Sequence, residues 1–226
     1  MGHPDPAGAA ATRVVLRPLA TPLPLGFLAL ALATTVFSAV QLSWVPPEQG
    51  RVAASTALGA TVPLQLTAAV VGFLARDPVA ATGMGVLTGT WAVVGLTTLT
   101  SPPGAASPGL GVLLLTAGVA VLVPAAAAAP GKLAPAAVMA LAATRFAVTG
   151  GYELTGSAAW QAAAGWVGLL LAAVAVYTAL ALELEGTRGH TVLPVGRRGA
   201  GASAVAGEGP LRPEDLAGEA GVRPRL

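Results

Sequence analysis

Cysteine is absent from this chain of 226 residues, and its two histidines, His3 and His190, lie outside the apolar stretches. The lack of cysteine excludes disulfide bonds, thiolate catalysis and cysteine-ligated metals. The apolar stretches also lack a nucleophile paired with a base, the arrangement that nucleophilic catalysis requires. We therefore expect no enzymatic activity, no metal site and no bound cofactor.

Charge is scarce as well, since Asp, Glu, Lys and Arg make up 10% of the residues, against about 25% in a typical soluble domain. The net charge of +2 is too small to suggest a nucleic-acid surface. Residues 18–47, 52–75, 78–131 and 154–182 contain no charged side chain. A charge at mid-membrane costs about 2.5–3.5 kcal/mol, and about 20 apolar residues cross a bilayer. The pattern predicts a multi-pass membrane protein, with residues 78–131 crossing twice.

Prolines and glycines divide the apolar stretches into predicted helices at residues 24–45, 52–75, 79–99, 108–128, 133–150 and 157–182. Only helices satisfy their backbone groups within each segment in lipid. The predicted fold class is an all-α membrane protein, a six-transmembrane-helix bundle over residues 21–196. Residues 1–20 are expected to be a flexible leader. Residues 197–226 lack the apolar surface to offset their ordering entropy, and are expected to be a disordered tail.

Basic residues fall on one side of these helices if the N-terminus is cytoplasmic. The cytoplasmic segments then carry Arg13, Arg17, Arg76, Lys132, Arg188, Arg197 and Arg198. The outer loops carry only Arg51, Glu48 and Glu153. By the positive-inside rule, both termini are predicted to be cytoplasmic, in a protein of the inner (plasma) membrane.

Polar side chains at membrane depth are few, and a transporter needs some of them as solute contacts. They are Thr34, Thr35, Ser38, Gln41, Gln65, Thr67, Thr82, Thr88, Thr90, Thr144, Arg145 and Glu153. Gln65 is expected either to bond a neighbouring helix or to contact solute. Arg145, the only charge inside a predicted span, would reach the membrane surface, pair with Glu153 or attract anions. Pro63 is expected to free a carbonyl near Gly59.

Several motifs, in order along the chain, suggest a family. Residues 19–27 read LATPLPLGF and resemble an N-P-A-P-L-G-L signature. The second predicted helix is similar to a G-G-x-x-Q helix at Gly59 and Gln65, and residues 76–78 are similar to a short basic turn. The third predicted helix is similar to a Gly/Thr-rich helix ending in Trp, at residues 82–83 and Trp91. Residues 155–158 (TGSA), 164–169 (AGWVGL), 175–177 (AVY) and 191–196 (TVLPVG) complete the pattern. Over residues 19–196 the chain resembles the acetate uptake transporter family, the succinate–acetate permeases.

The resemblance implies a homohexameric ring of six-helix subunits that move acetate and related short carboxylates, in many cases with a proton. It implies that the signature residues contact the substrate, namely Thr21, Pro22, Pro24, Leu25 and Gly26. It implies a constriction at Leu30, Leu87 and Ala142. The free N–H groups of Leu25 and Gly26 at a helix start would also favour an anion.

This chain departs from the family pattern at several of these positions. Thr21 replaces the signature asparagine, and Leu23 replaces a small residue. Leu30 and Leu87 stand where an aromatic ring and a tyrosine are usual, and Arg145 replaces an apolar residue. The predicted function is a transporter or channel for small monocarboxylates such as acetate, coupled to protons. The alternative is a non-transporting membrane scaffold or regulatory subunit that retains the fold.

Overall fold

Apolar segments rich in alanine and leucine form the helices, and several of these helices also contain glycine or proline. The computed structural model describes residues 19–198. Six helices in this part of the chain are long and apolar enough to cross a membrane. They are α1 (Leu23–Gln41), α2 (Pro47–Leu74), α3 (Pro78–Thr100), α4 (Pro108–Ala128), α5 (Leu133–Thr155) and α6 (Ala158–Arg188). The predicted six-helix membrane fold is confirmed. Apart from residues 19–20 and 197–198, the predicted leader and tail lie outside the described residues.

Glycine does not end α5 where the sequence suggested. The helix continues through Gly150 and Gly151 to Thr155, and ends at Gly156, whose φ of 65° suits a residue without a side chain. A Cβ at Gly150 would lie 3.0 Å from the carbonyl oxygen of Gly111 on α4. This glycine therefore permits close packing of α4 on α5 instead of breaking the helix.

Other helix ends also differ from the sequence expectation. α1 ends at Gln41 instead of residue 45, and α2 begins at Pro47 instead of residue 52. α6 runs to Arg188, six residues past the expected residue 182, and ends at Gly189 with φ 70°. Its last turns carry Glu183 and Glu185. The absence of charge marks where a helix can enter lipid, but it does not mark where the helix ends.

A widened turn lies inside α2, because Pro63 cannot donate a backbone hydrogen bond. Residues Ala57–Thr61 form one π-helical turn just before the α-helical segment Val62–Leu74. Gly59 in this turn is exposed on the outer surface of the bundle. The hydroxyl of Thr61 donates to the carbonyl of Ala29 at 2.8 Å and joins the turn to α1. The disturbed backbone therefore faces outward, and Thr61 provides its link to the interior.

The chain after α6 folds back along one end of the bundle, in a segment of residues 190–198 that we call the strap. Backbone N–H groups of Leu133 and Ala134 donate to the carbonyls of Gly196 and Val195 at 3.2 and 3.0 Å. α5 has no side-chain cap at its N-terminus, so strap carbonyls satisfy its first N–H groups. The carboxylate of Glu185 pairs with Arg197 and accepts a hydrogen bond from Thr191 at 3.0 Å.

Both ends of the described chain lie at the same end of the bundle, because six helices cross it. This end carries the Lys132–Asp77 ion pair, whose atoms are 3.8 Å apart, and the strap. We call it the basic end, and the other the distal end. The carboxylate of Asp77 also caps α3 by accepting from the N–H of Ala80 at 3.0 Å.

Candidate functional site

Leu30, Leu87 and Ala142, the predicted constriction residues, all lie in the interior. They project from α1, α3 and α5, and each side chain is fully buried. All three belong to one apolar cluster, in which Phe27, Met84 and Met139 are also fully buried. We call the layer of Leu30, Leu87 and Ala142 the apolar layer. Its role as a constriction stays a prediction.

A cavity of about 130 Å³ opens at the distal end of the bundle. We call it the vestibule. Its polar wall includes Gln41, Glu48, Arg51, Thr98, Glu153 and Gln161. The half-buried carboxylate of Glu153 accepts the backbone N–H of Ser107 at 2.7 Å, so α5 is tied to the loop before α4. The vestibule offers a polar entrance with charges of both signs.

A smaller cavity of about 50 Å³ lies next to the vestibule, and we call it the inner cavity. The two cavities share wall residues, namely Phe37, Gln41, Thr98, Leu110 and Glu153. Trp91 and Arg145 also line the inner cavity. They follow Leu87 and Ala142 by four and three residues, a rise of about 5–6 Å along each helix. The inner cavity thus lies about one helical turn from the apolar layer, on its distal side.

Arg145 is only 4% exposed, and its guanidinium points inward. It donates to the carbonyl of Ala164 on α6 and to the side-chain oxygen of Gln41 on α1. Neither an extended position at the membrane surface nor a pair with Glu153 is seen. Within residues 19–198 Arg145 forms no salt bridge with a carboxylate. The expectation of surface anchoring or pairing is therefore wrong, because other helices supply its partners.

Gly168 makes the position of Arg145 possible. A Cβ built at this glycine on α6 would clash with the hydroxyl of Ser38 and lie 2.9 Å from Nε of Arg145. The guanidinium therefore occupies space that any other residue would fill. The sequence placed Gly168 in a motif but gave no sign of this neighbour, since Arg145 is on another helix.

Buried polar atoms without a hydrogen-bond partner concentrate on the distal side of the apolar layer. They include Oγ1 of Thr34, Oγ of Ser38 and Nε1 of Trp91. Thr34 and Ser38 follow Leu30 on the same face of α1, at spacings of four and eight residues. Buried polar groups are usually satisfied, and Trp91 is the one of these three residues that lines the inner cavity, where a polar guest would satisfy its N–H. The sequence indicated Gln41 as one of several polar candidates at membrane depth and Trp91 only as part of a family motif.

Gln65 is fully buried and joins α2 to α1. Its amide nitrogen donates to the carbonyl of Gly26 at 3.4 Å, whereas its oxygen has no partner. The interhelical bond foreseen from the sequence is present. The unpartnered oxygen leaves the second interpretation, a solute contact, open as a prediction.

The signature at the start of α1 lies at the basic end. Pro22, Pro24 and Gly26 are buried, whereas Thr21 and Leu25 are exposed. The N–H of Gly26 donates to the carbonyl of Pro22 at 3.3 Å. This N–H is therefore not free for an anion, contrary to the sequence expectation, because the helix begins one residue earlier than expected.

A third cavity, of about 140 Å³, reaches Leu23 between the two signature prolines. Asp77 and Lys132 stand on its wall. The apolar layer lines none of these three cavities. The distal cavities therefore end about one helical turn from the apolar layer, whereas the third cavity stays at the helix ends of the basic end.

Metal coordination has no candidate in the part of the chain that the structure describes. No group of three or more His, Cys, Asp and Glu side chains is close enough there to hold an ion. Arg145, Trp91 and Gln41 on the wall of the inner cavity can donate to an anion, whereas Glu153 also lines it and the hydroxyls of Thr98 and Thr149 already donate to backbone carbonyls.

Comparison with known proteins shows which solved structure the fold resembles. No protein-family profile matches the sequence, and neither does any curated protein. Among solved structures the bundle resembles the bacterial acetate channel SatP, with a TM-score of 0.70 and 23% identity. The match covers 79% of this chain and 100% of that chain. At this identity the likeness shows a shared fold.

Proposed function

We propose that this protein is a transporter or channel for small monocarboxylates such as acetate, and a member of the acetate uptake transporter family. The carrying observation is the vestibule and the inner cavity, which enter the bundle from the distal end and stop about one helical turn from the apolar layer, while a third cavity opens at the basic end. The shared fold with an acetate channel supports the choice of solute. A path that is closed in the middle by apolar side chains is the arrangement that a gated channel requires.

The proposed path begins in the vestibule, continues through the inner cavity and crosses the apolar layer. Movement of Leu30, Leu87 and Ala142 would open it, because an apolar constriction can close a pore by excluding water. On the far side the path passes Gln65 and the signature residues. We propose that Thr21, Pro22, Pro24, Leu25 and Gly26 form the exit to the basic end.

Proton coupling is part of the proposal. Glu153 lines both the vestibule and the inner cavity, so its carboxylate can meet a proton and a solute at the same entrance. Carboxylates along transport paths commonly relay protons. Uptake that rises with an inward proton gradient in the wild type, but not in Glu153→Gln, would support this role.

We further propose that the basic end faces the cytoplasm of a plasma-membrane protein, and that six copies form a ring. The positive-inside rule supports the orientation. Gly85 and Gly89 support the assembly, because both lie on α3 with open space where a Cβ would stand. Native mass spectrometry in mild detergent should show a hexamer, and a monomer in every detergent would oppose the ring.

Uptake of radiolabelled acetate into proteoliposomes tests the function. We expect saturable uptake that exceeds uptake by protein-free liposomes, measured with and without a pH gradient. Unlabelled propionate should compete, whereas acetamide, which is neutral, should not.

A scaffold or regulatory role is the second candidate. It is favoured by the complete burial of Leu30, Leu87 and Ala142, which leaves no opening through the apolar layer. Folded protein without saturable uptake of any short acid would establish this alternative over transport.

A further inference from the structure

We propose that the inner cavity is a binding site for a small monocarboxylate anion, held by hydrogen-bond donors of Arg145, Gln41 and Trp91. The choice of a carboxylate rests on the proposed function. The site itself rests on the chemistry of the cavity wall. It would hold the solute on the distal side of the apolar layer, before the path opens.

The first argument is an uncompensated buried charge. The guanidinium of Arg145 has five N–H donors and stays protonated. Two of its hydrogen bonds go to Ala164 and Gln41, which are both neutral acceptors. An ion in the interior is unfavourable unless an opposite charge compensates it. Glu153 lines the same cavity but forms no salt bridge with Arg145, so a bound anion would supply the partner charge that Arg145 lacks among the described residues.

The second argument is the direction of the neighbouring donors. Because Arg145 can only donate, the oxygen of Gln41 must face it, and the amide NH₂ of Gln41 is turned elsewhere. Nε1 of Trp91 is a donor without a partner on a residue that is only 3% exposed. Three donor groups therefore border one cavity, and a carboxylate has two oxygens to accept from them.

The third argument is size. A water-sized group needs about 10–15 Å³ of such space, so the inner cavity of about 50 Å³ has room for three to five non-hydrogen atoms. Acetate has four, whereas succinate has eight. The rings of Phe37 and Phe146 flank Trp91, with centroids 5.6 and 6.4 Å away, and offer an apolar wall for a methyl group.

Glu153 is the acidic group nearest to this site along α5, and its position is compatible with an anion. It follows Arg145 by eight residues, a rise of about 12 Å. Glu153 lines the inner cavity as well as the vestibule, and its carboxylate accepts the N–H of Ser107. Glu48 and Arg51 line only the vestibule and stand at its mouth. Arg145 thus provides the positive charge at the bottom of the entrance.

Calorimetric titration of the full-length protein in detergent tests the site. Sodium acetate should bind the wild type, whereas acetamide, sodium chloride and succinate should bind at least tenfold more weakly. Arg145→Gln should raise the Kd for acetate about tenfold or more, because a charge-assisted hydrogen bond is lost. The matched control is Arg188→Gln, which removes an exposed arginine at the basic end and should leave the Kd unchanged.

Trp91→Phe provides a second variant in case Arg145→Gln fails to fold. It keeps the ring between Phe37 and Phe146 and removes only the N–H donor, so we expect acetate binding to weaken severalfold. Equal binding of acetate and acetamide by the wild type would overturn the site, and so would an unchanged Kd in folded Arg145→Gln or Trp91→Phe. Equal binding of chloride would overturn its assignment to a carboxylate. If acetate binding depends on Arg145 but the protein shows no uptake, the site is retained and transport is refuted. If Arg145→Gln leaves uptake unaffected, transport is retained and the site is refuted.

Discussion

At the scale of single residues, Arg145 and Gly168 form a complementary pair on facing helices. The arginine brings a guanidinium into the interior, and the glycine leaves the space it occupies. Ser38 and Gln41 approach the same region from α1. A change at any of these positions alters the charge or the volume of the same region.

Gly168→Ala should therefore displace Arg145. The added methyl group would overlap the hydroxyl of Ser38 and the guanidinium, and such overpacking costs about 1–3 kcal/mol. We expect a lower Tm and weaker acetate binding. Gly186→Ala on the same helix is the control, since nothing lies within 4 Å of its added Cβ. It should keep or raise the Tm, because alanine is the better helix former.

Ala142→Phe tests the apolar layer. The larger ring should overpack the buried apolar layer, block the proposed path and abolish acetate uptake. Ala140→Phe places the same ring on the exposed side of α5 and should transport normally. Elution of both variants at the wild-type volume in size-exclusion chromatography would show that they fold. Normal uptake by folded Ala142→Phe would place the path elsewhere.

The sequence predicts burial at this scale better than it predicts contacts. Leu30, Leu87 and Ala142 lie in the interior as the resemblance implied, although their role in transport stays a prediction. The partners of Arg145 could not be predicted, because Gln41 lies 104 residues away and Ala164 is on the next helix. A charge inside an apolar segment indicates only that some partner must exist.

At the scale of elements, the six helices follow from the charge-free stretches and their breakers. The helix ends are predicted less well, because glycine can either end a helix or allow close packing inside one. Gly150 supports helix packing inside α5, whereas Gly156 ends that helix with a positive φ. Only the neighbouring helix distinguishes the two roles, and it is not adjacent in sequence.

The strap depends on the Glu185–Arg197 ion pair. Glu185 is 7% exposed, and its carboxylate binds both Arg197 and Thr191. Glu185→Gln should lower stability by about 1–3 kcal/mol, since it weakens charged hydrogen bonds. Hydrogen exchange at Leu133 and Ala134 should accelerate, whereas the exposed control Glu183→Gln should not change it. Unchanged exchange in Glu185→Gln would mean that backbone bonds alone hold the strap.

At the scale of the whole molecule, the bundle is asymmetric along its axis. Lys132, Arg76 and Arg197 lie at the basic end, whereas the distal loop of residues 101–107 carries no charge. A bilayer under the positive-inside rule would orient such a molecule with its basic end toward the cytoplasm.

The absence of cysteine makes this orientation directly measurable. Ala105→Cys lies in the exposed distal loop, and His190→Cys lies in the exposed start of the strap. In intact cells a membrane-impermeant maleimide should label Ala105→Cys only, and after permeabilisation it should label both. The wild type, with no cysteine, is the blank. The opposite labelling pattern would invert the proposed topology.

The strap also imposes an order on the synthesis of the chain. The N–H groups of Leu133 and Ala134 leave the ribosome about 60 residues before the carbonyls that accept them. At about 5–20 residues per second, this delay is about 3–12 s. During that interval the first N–H groups of α5 must form hydrogen bonds with water, although α5 and α6 already have to enter the membrane. The hydrogen bonds at the N-terminus of α5 are therefore completed only after the strap has been synthesised. Docking of the strap is a late step in the folding of this end of the bundle.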